Sequence, residues 1–348
     1  MIIDAHLDIA CNALTIGREY TVPVHDIRQR EQPRDEDIAT VSLPDALAGG
    51  VGLVFGTLFV APEGSASLSP LVYHTPEEAH QQARDQLAYY RTLAERPDMR
   101  VIEHRRDLAA LLADRAAGQQ VQGIVVLMEG ADPILHPAQV TEWQALGVRI
   151  IGPAWKRTRY CGGTGDPGPL TDEGRVLMRK MAKAGVALDV SHMAEQSFWQ
   201  ALELFDGPVI ASHSNCRAFF ELFRLDRHLS DDMLRALIER DAVIGAVLYN
   251  KFLVDEWTVE IGKDAVGLDA VVRHIDHICQ LAGNACHCGI GSDLDGGFGQ
   301  EAIPRELDTI VDLHRLADVL ADHGYSDADV QGIMGGNWLR KLGEILPA

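Results

Sequence analysis

Eight short β-rich runs recur along the chain, most of them introduced by glycine: MIIDAHLD (1–8), GVGLVFGTLFV (50–60), GIVVLMEG (123–130), GVRIIGPAW (147–155), GVALDVSH (185–192), GPVIASHS (207–214), AVIGAVLYN (242–250) and CGIGSDLDG (288–296). Most are apolar on both faces, as strands of a parallel sheet covered on each side should be. Helical patterns fall between them, among them 75–95, 171–184, 230–240 and 268–283. Several of these open on Ser or Thr followed by acids, which suits an N-cap and the helix dipole. Eight β/α units in 348 residues predict a (β/α)8 TIM barrel, a single domain over 1–348. A doubly wound open sheet would carry a Gly-rich dinucleotide turn after an early strand, and DAHLDIACNA carries none. No Pro/Gly/Ser-rich linker divides the chain. Residues 61–72 read as an active-site loop insertion and 25–40 as a charged loop or surface helix.

The charge narrows the partners. A net charge of −20 repels phosphate backbones and anionic lipid, so no nucleic acid and no membrane surface is expected. No run approaches the roughly 18 apolar residues of a membrane span. The opening MIIDAHLDIA lacks the basic and apolar regions of a signal peptide, which makes a cytoplasmic protein the expectation. The six cysteines form no CxxC pair and read as reduced and structural. In Cys286-His287-Cys288 alternate side chains of a strand point to opposite faces, so the three cannot wrap one ion.

In a barrel every strand ends at the same mouth, and ligand-type residues collect at those ends. Two successive strands each finish on Ser-His, at His192 and His213. The first ends His6-Leu7-Asp8, whose i, i+2 spacing puts both side chains on one face. The third ends on Glu129 and the eighth carries Asp293 and Asp295. Each of these alone has a structural reading, as a lip histidine or a turn-forming acid. A carboxylate after the apolar run IVVLM, however, is costly to bury without a cation. His6, Asp8 and Glu129 can hold one divalent ion, and Glu129, His192 and His213 a second, with Glu129 bridging. Mixed N/O donors suit Zn²⁺, with Mn²⁺, Co²⁺ or Fe²⁺ as alternatives. Two such ions can share a water and lower its pKa, leaving Asp293 free as general base and acid. The other histidines fall in loops, helices or, for His287, at the far end of a strand.

These residues resemble the renal (membrane) dipeptidases, metallopeptidase family M19 of the amidohydrolase superfamily. The likeness runs over nearly the whole chain, through DAHLD, LMEGADP, LDVSH, PVIASHS, GIGSDLDG and the terminal MGGNWLRKL. It implies a TIM-barrel hydrolase with two zinc ions on His6, Asp8, Glu129, His192 and His213, and Asp293 as acid/base. Arg227, in RLDRHLSDD, matches the family segment whose arginine binds the substrate's carboxylate, and bidentate geometry suits that task. The implied reaction is hydrolysis of a dipeptide or dipeptide-like acyl-amino acid by a metal-bridging hydroxide, in a homodimer. One position departs. Where the family places a histidine against the substrate carbonyl, at the end of the fourth strand, this chain has Trp155. Either Lys156, Arg157 or Arg159 supplies the missing positive group, or Trp155 narrows the pocket for a different substrate. That departure keeps open an amidohydrolase reaction on a lactone or cyclic amide. A non-catalytic metal-binding protein is a further alternative, against which the intact Asp293 argues.

Overall fold

The computed structural model describes residues 1–31, 34–65, 72–221 and 227–348. The eight runs become the eight strands of a nearly closed parallel barrel: β1 (Ile2–Leu7), β2 (Val51–Phe59), β3 (Gln122–Glu129), β4 (Val148–Gly152), β5 (Ala187–Asp189), β6 (Val209–Ile210), β7 (Ile244–Ala246) and β8 (Cys288–Ile290). Each pairs in parallel with its sequence neighbours, β8 returns to β1 through Asp4 and Ile290, and a single parallel bridge between Ala211 and Ile244 joins β6 to β7.

The later strands are far shorter than their apolar runs. The run 207–214 keeps only Val209–Ile210 in the ladder. Buried side chains take over the backbone groups that leave it. Asp189 Oδ1 accepts from the N–H of Ser191 at 3.0 Å and of Ser212 at 2.9 Å. Asp4 Oδ1 accepts from the Ser292 N–H at 2.8 Å, and Asn215 Oδ1 from that of Val247 at 3.1 Å. The chain is thereby free to turn sharply at the mouth, where His192 and Asp293 adopt left-handed φ of 64° and 61°.

The helices stop and start where capping chemistry predicts. Pro76–Leu93, Asp172–Ala184 and Asp231–Glu239 open on Thr75, Thr171 and Ser230, whose hydroxyls each accept a first-turn N–H. Leu268–Ala282 ends at Gly283 in the left-handed region. The charged stretch 25–40 contributes to a helix at Val24–Arg30 and then runs irregularly; residues 32–33 of it lie outside the described residues. Of the loop insertion, Ala61–Pro62 pairs with Val72–Tyr73, while 66–71 lie outside the described residues. A short strand at Met99–Val101, which no apolar run announces, lies beside the start of β3.

Two apolar layers hold the barrel. One lies between strands and helices. The other draws Ile3, Leu53, Val125, Ile150, Ala187 and Ile210 from six strands and Val243 from just before β7, and only the barrel interior can gather these. Its floor is Trp338 from the terminal helix Asn337–Ile345, whose Nε1 donates to Ile290 O at 3.0 Å. The glycine of β8 makes this contact fit, because a Cβ at Gly289 would overlap the indole. Among the described residues no helix is long and apolar enough to cross a membrane, and all six cysteines are free.

Candidate active site

At the mouth the strand ends bring together His6, Asp8, Glu129, His192, His213 and Asp293, every one of them buried. Their Nε2 and carboxylate atoms form three overlapping clusters: His6, Asp8 and Glu129; Glu129, His192 and His213; and His6, His213 and Asp293. Glu129 divides its oxygens between the first two. Its Oε2 lies 3.3 Å from His6 Nε2, and its Oε1 lies 3.2 Å from His192 Nε2 and 3.4 Å from His213 Nε2. The third cluster adds a fact that the sequence reading lacks: Asp293 Oδ1 stands 3.8 Å from His6 Nε2, within reach of the same ion positions.

The outer ring nitrogens are held by hydroxyls, which turns each Nε2 inward. Ser212 Oγ lies 2.8 Å from His213 Nδ1 and 3.3 Å from His6 Nδ1, and Thr164 Oγ1 lies 2.9 Å from His192 Nδ1. Ser191 Oγ accepts from the His213 N–H at 3.1 Å. Each of the two Ser-His pairs therefore supplies one aimed imidazole and one hydroxyl that positions the cluster. Ser212 and Ser191 stand in the quoted runs beside the histidines, so their place was readable; Thr164, on a loop far in sequence, gave no signal. Thr57 donates to Asp8 Oδ1 and fixes that carboxylate. A Ser212→Ala substitution frees two imidazoles at once and should weaken metal affinity by ~10–100-fold, the usual scale for an outer-shell partner. Competition with a chromogenic chelator measures it, and unchanged affinity would remove Ser212 from this role.

The electrostatics of the cluster call for cations. Burial raises the Glu129 carboxyl to about 8 and the Asp8 carboxyl to about 6, and pushes Asp293 well above the ordinary carboxylate range. Burial likewise pushes the His192 and His213 imidazoles well down. His6 Nε2 is buried without a hydrogen-bond partner among the described residues. Carboxylate oxygens and imidazole nitrogens crowded within ligand distance of one another in a buried site fit divalent ions. Among the described residues Cys286, His287 and Cys288 form no such cluster.

The cluster floors a cavity of about 470 Å³, the size of a small-molecule site. Trp155 lies in its wall, edge-on to Phe59 at 5.0 Å and 6.4 Å from His192. Arg227 enters the same cavity. Its Nη1 donates to His213 O at 2.8 Å, its guanidinium lies 4.9 Å from the Phe252 ring, and its buried Nε and Nη2 have no hydrogen-bond partner among the described residues. Of the basic triplet after Trp155, only Lys156 lines the cavity. Arg157 pairs outward with Asp166, and Arg159 donates to Ile134 O and Leu135 O. Asp295, the other acid of the last run, accepts from Thr40 N–H at 2.7 Å and Thr40 Oγ1 at 2.6 Å and faces Arg18 at 3.5 Å, so it anchors a loop.

A family model described as membrane dipeptidase (peptidase family M19) matches residues 1–346. An uncharacterized protein in the pqqA 5′ region of Klebsiella pneumoniae is 32% identical over 246 residues, 68% of this chain and 86% of that one. Dipeptidase tcpJ of Claviceps purpurea is 26% identical over 329 residues, covering 92% of this chain and 72% of its own. A metallo peptidase from Rhodobacter sphaeroides, solved with a phosphinate mimic of the dipeptide L-Ala-D-Ala, shares the fold with a TM-score of 0.78 at 23% identity, covering 99% of each chain.

Proposed function

Because the chain belongs to the membrane dipeptidase family, peptidase family M19, we propose that it hydrolyses the amide bond of dipeptides or dipeptide-like acyl-amino acids at a two-ion centre in the barrel mouth. The observation that carries the metal centre is the split carboxylate of Glu129, one oxygen toward His6 and the other toward His192 and His213. His6, Asp8 and Glu129 would hold one ion and Glu129, His192 and His213 the other. When bound, two zinc ions supply Lewis acidity that polarises a carbonyl and acidifies water.

The chain's own groups do the rest. Arg227 has two buried donors unused and takes the substrate's free carboxylate in a fork. This fixes the scissile amide over the cluster. Asp293 accepts a proton from the attacking water and delivers it to the leaving amine nitrogen. Trp155 and Phe59 close the side of the cavity and restrict water around the amide. A cytoplasmic, reducing setting is part of this reading, supported by six cysteines with no disulfide among the described residues.

Elemental analysis of metal-supplemented protein should find about two divalent ions per chain, the content a binuclear site requires. His192→Ala or His213→Ala should lose mainly one of them. A screen of L-Xaa-L-Xaa and L-Xaa-D-Xaa dipeptides on the same preparation tests the activity. Protein that retains no metal, or that cleaves no dipeptide, overturns the reading.

A further inference from the structure

We infer that Lys156, standing on the face of Trp155, forms the subsite for the first residue of the substrate and selects an acidic side chain there. The inference rests on the dipeptidase reading. It begins with the geometry of an eight-stranded barrel, in which strands four apart in the ring face one another across the mouth. β2 stands opposite β6, and β4 opposite β8. Phe59 ends β2, and Trp155 and Lys156 follow β4. Arg227 comes after β6, Phe252 after β7 and Phe298 after β8. All six line the same cavity. A dipeptide with its carboxylate on Arg227 and its amide over Glu129 therefore extends its first residue toward Phe59, and so toward Trp155, which packs edge-on against Phe59.

The charges on that wall decide what it accepts. Asp8, Glu129 and Asp293 belong to the ion cluster. Asp37 is held by Arg18 and Arg34, and Asp295 by Thr40 and Arg18. Arg34 is in turn taken up by Asp37 and Glu31. Lys156 is left. Its ammonium lies 5.5 Å from the centroid of the Trp155 ring and has no ion pair or hydrogen bond among the described residues. A half-buried lysine with its ammonium against an indole, and with no acid of its own among the described residues, is complemented by a carboxylate of the ligand.

The test compares kcat/KM for Glu-Ala and Gln-Ala, which differ in charge and hardly in shape. The metal-loaded wild type should favour Glu-Ala by about two- to fivefold, mostly in KM, the scale of a partly exposed ion pair. Lys156→Met, which keeps an apolar stem on the indole, should bring that ratio close to one, and Lys156→Glu should invert it. A wild-type ratio of one overturns the inference. So does a Lys156→Met variant that slows both substrates equally, because Lys156 would then serve the scissile carbonyl and not the side chain. If neither these nor any other dipeptide is cleaved by the loaded enzyme, the dipeptidase reading itself falls and this inference with it.

Discussion

Asp293→Asn should lower kcat by about 10²- to 10⁴-fold, the range for a lost proton-transfer group, and leave the metal content of the protein unchanged. The expectation rests on where the carboxyl stands. It is buried, sits on a left-handed residue three positions past β8, and its Oδ1 lies 3.8 Å from His6 Nε2. The space it occupies is reserved, since a Cβ at Gly296 would fall on its Oδ1. Asparagine matches aspartate in shape and keeps one acceptor oxygen, but its amide neither takes up nor returns a proton at working pH. Steady-state turnover and metal content are measured on the same sample. The second measurement matters because Asp293 also stands within ligand reach alongside His6 and His213. A variant that loses an ion together with its activity makes Asp293 a ligand, and near wild-type turnover removes it from proton transfer. Asp295 is a poor substitute, because its oxygens are occupied by Thr40 and Arg18.

The carboxylate clamp gives the second large effect. Arg227→Ala should cost about 2–4 kcal/mol in kcat/KM on free-acid dipeptides, the scale of removing one partner of a buried charge pair. Amidating the substrate's C-terminus should cost the wild type a similar amount, and the variant should hardly distinguish acid from amide. The reason is the donor count. One Nη reaches His213 O and the Ser214 hydroxyl, which fixes the side chain, while Nε and the other Nη are buried without a partner among the described residues. Desolvation already lowers the Arg227 pKa, so the guanidinium gains strongly from an incoming carboxylate. Equal wild-type rates on acid and amide would sink the clamp and move the reading to a lactone or cyclic amide. Trp155 bears on the same choice. Its indole lines the cavity and offers a single N–H and no charge.

The sequence by itself determined the barrel and most of its mouth. Runs apolar on both faces and separated by capped helices leave few other ways to bury them, because a strand covered on each side needs parallel neighbours. In that architecture the strand ends share one location, so His6, Asp8, Glu129, His192, His213 and Asp293 could be assembled from the residue pattern before any distance was known. Local chemistry also set the helix ends at Thr75, Thr171, Ser230 and Gly283.

Tertiary structure alone decided everything that depends on which long-range neighbour a side chain meets. The two carboxylates of the last run, Asp293 and Asp295, are alike in sequence; only the approach of Arg18 and Thr40 makes one an anchor and leaves the other to the cluster. The three cations after Trp155 are equally alike, until Asp166 takes Arg157, the Ile134 and Leu135 carbonyls take Arg159, and Lys156 is left facing the cavity. Thr164 reaches His192 from 28 residues away. The physical reason is range. Strand periodicity and helix capping are fixed by neighbours a few residues apart, whereas charge pairing and desolvation act through space and follow the closed barrel.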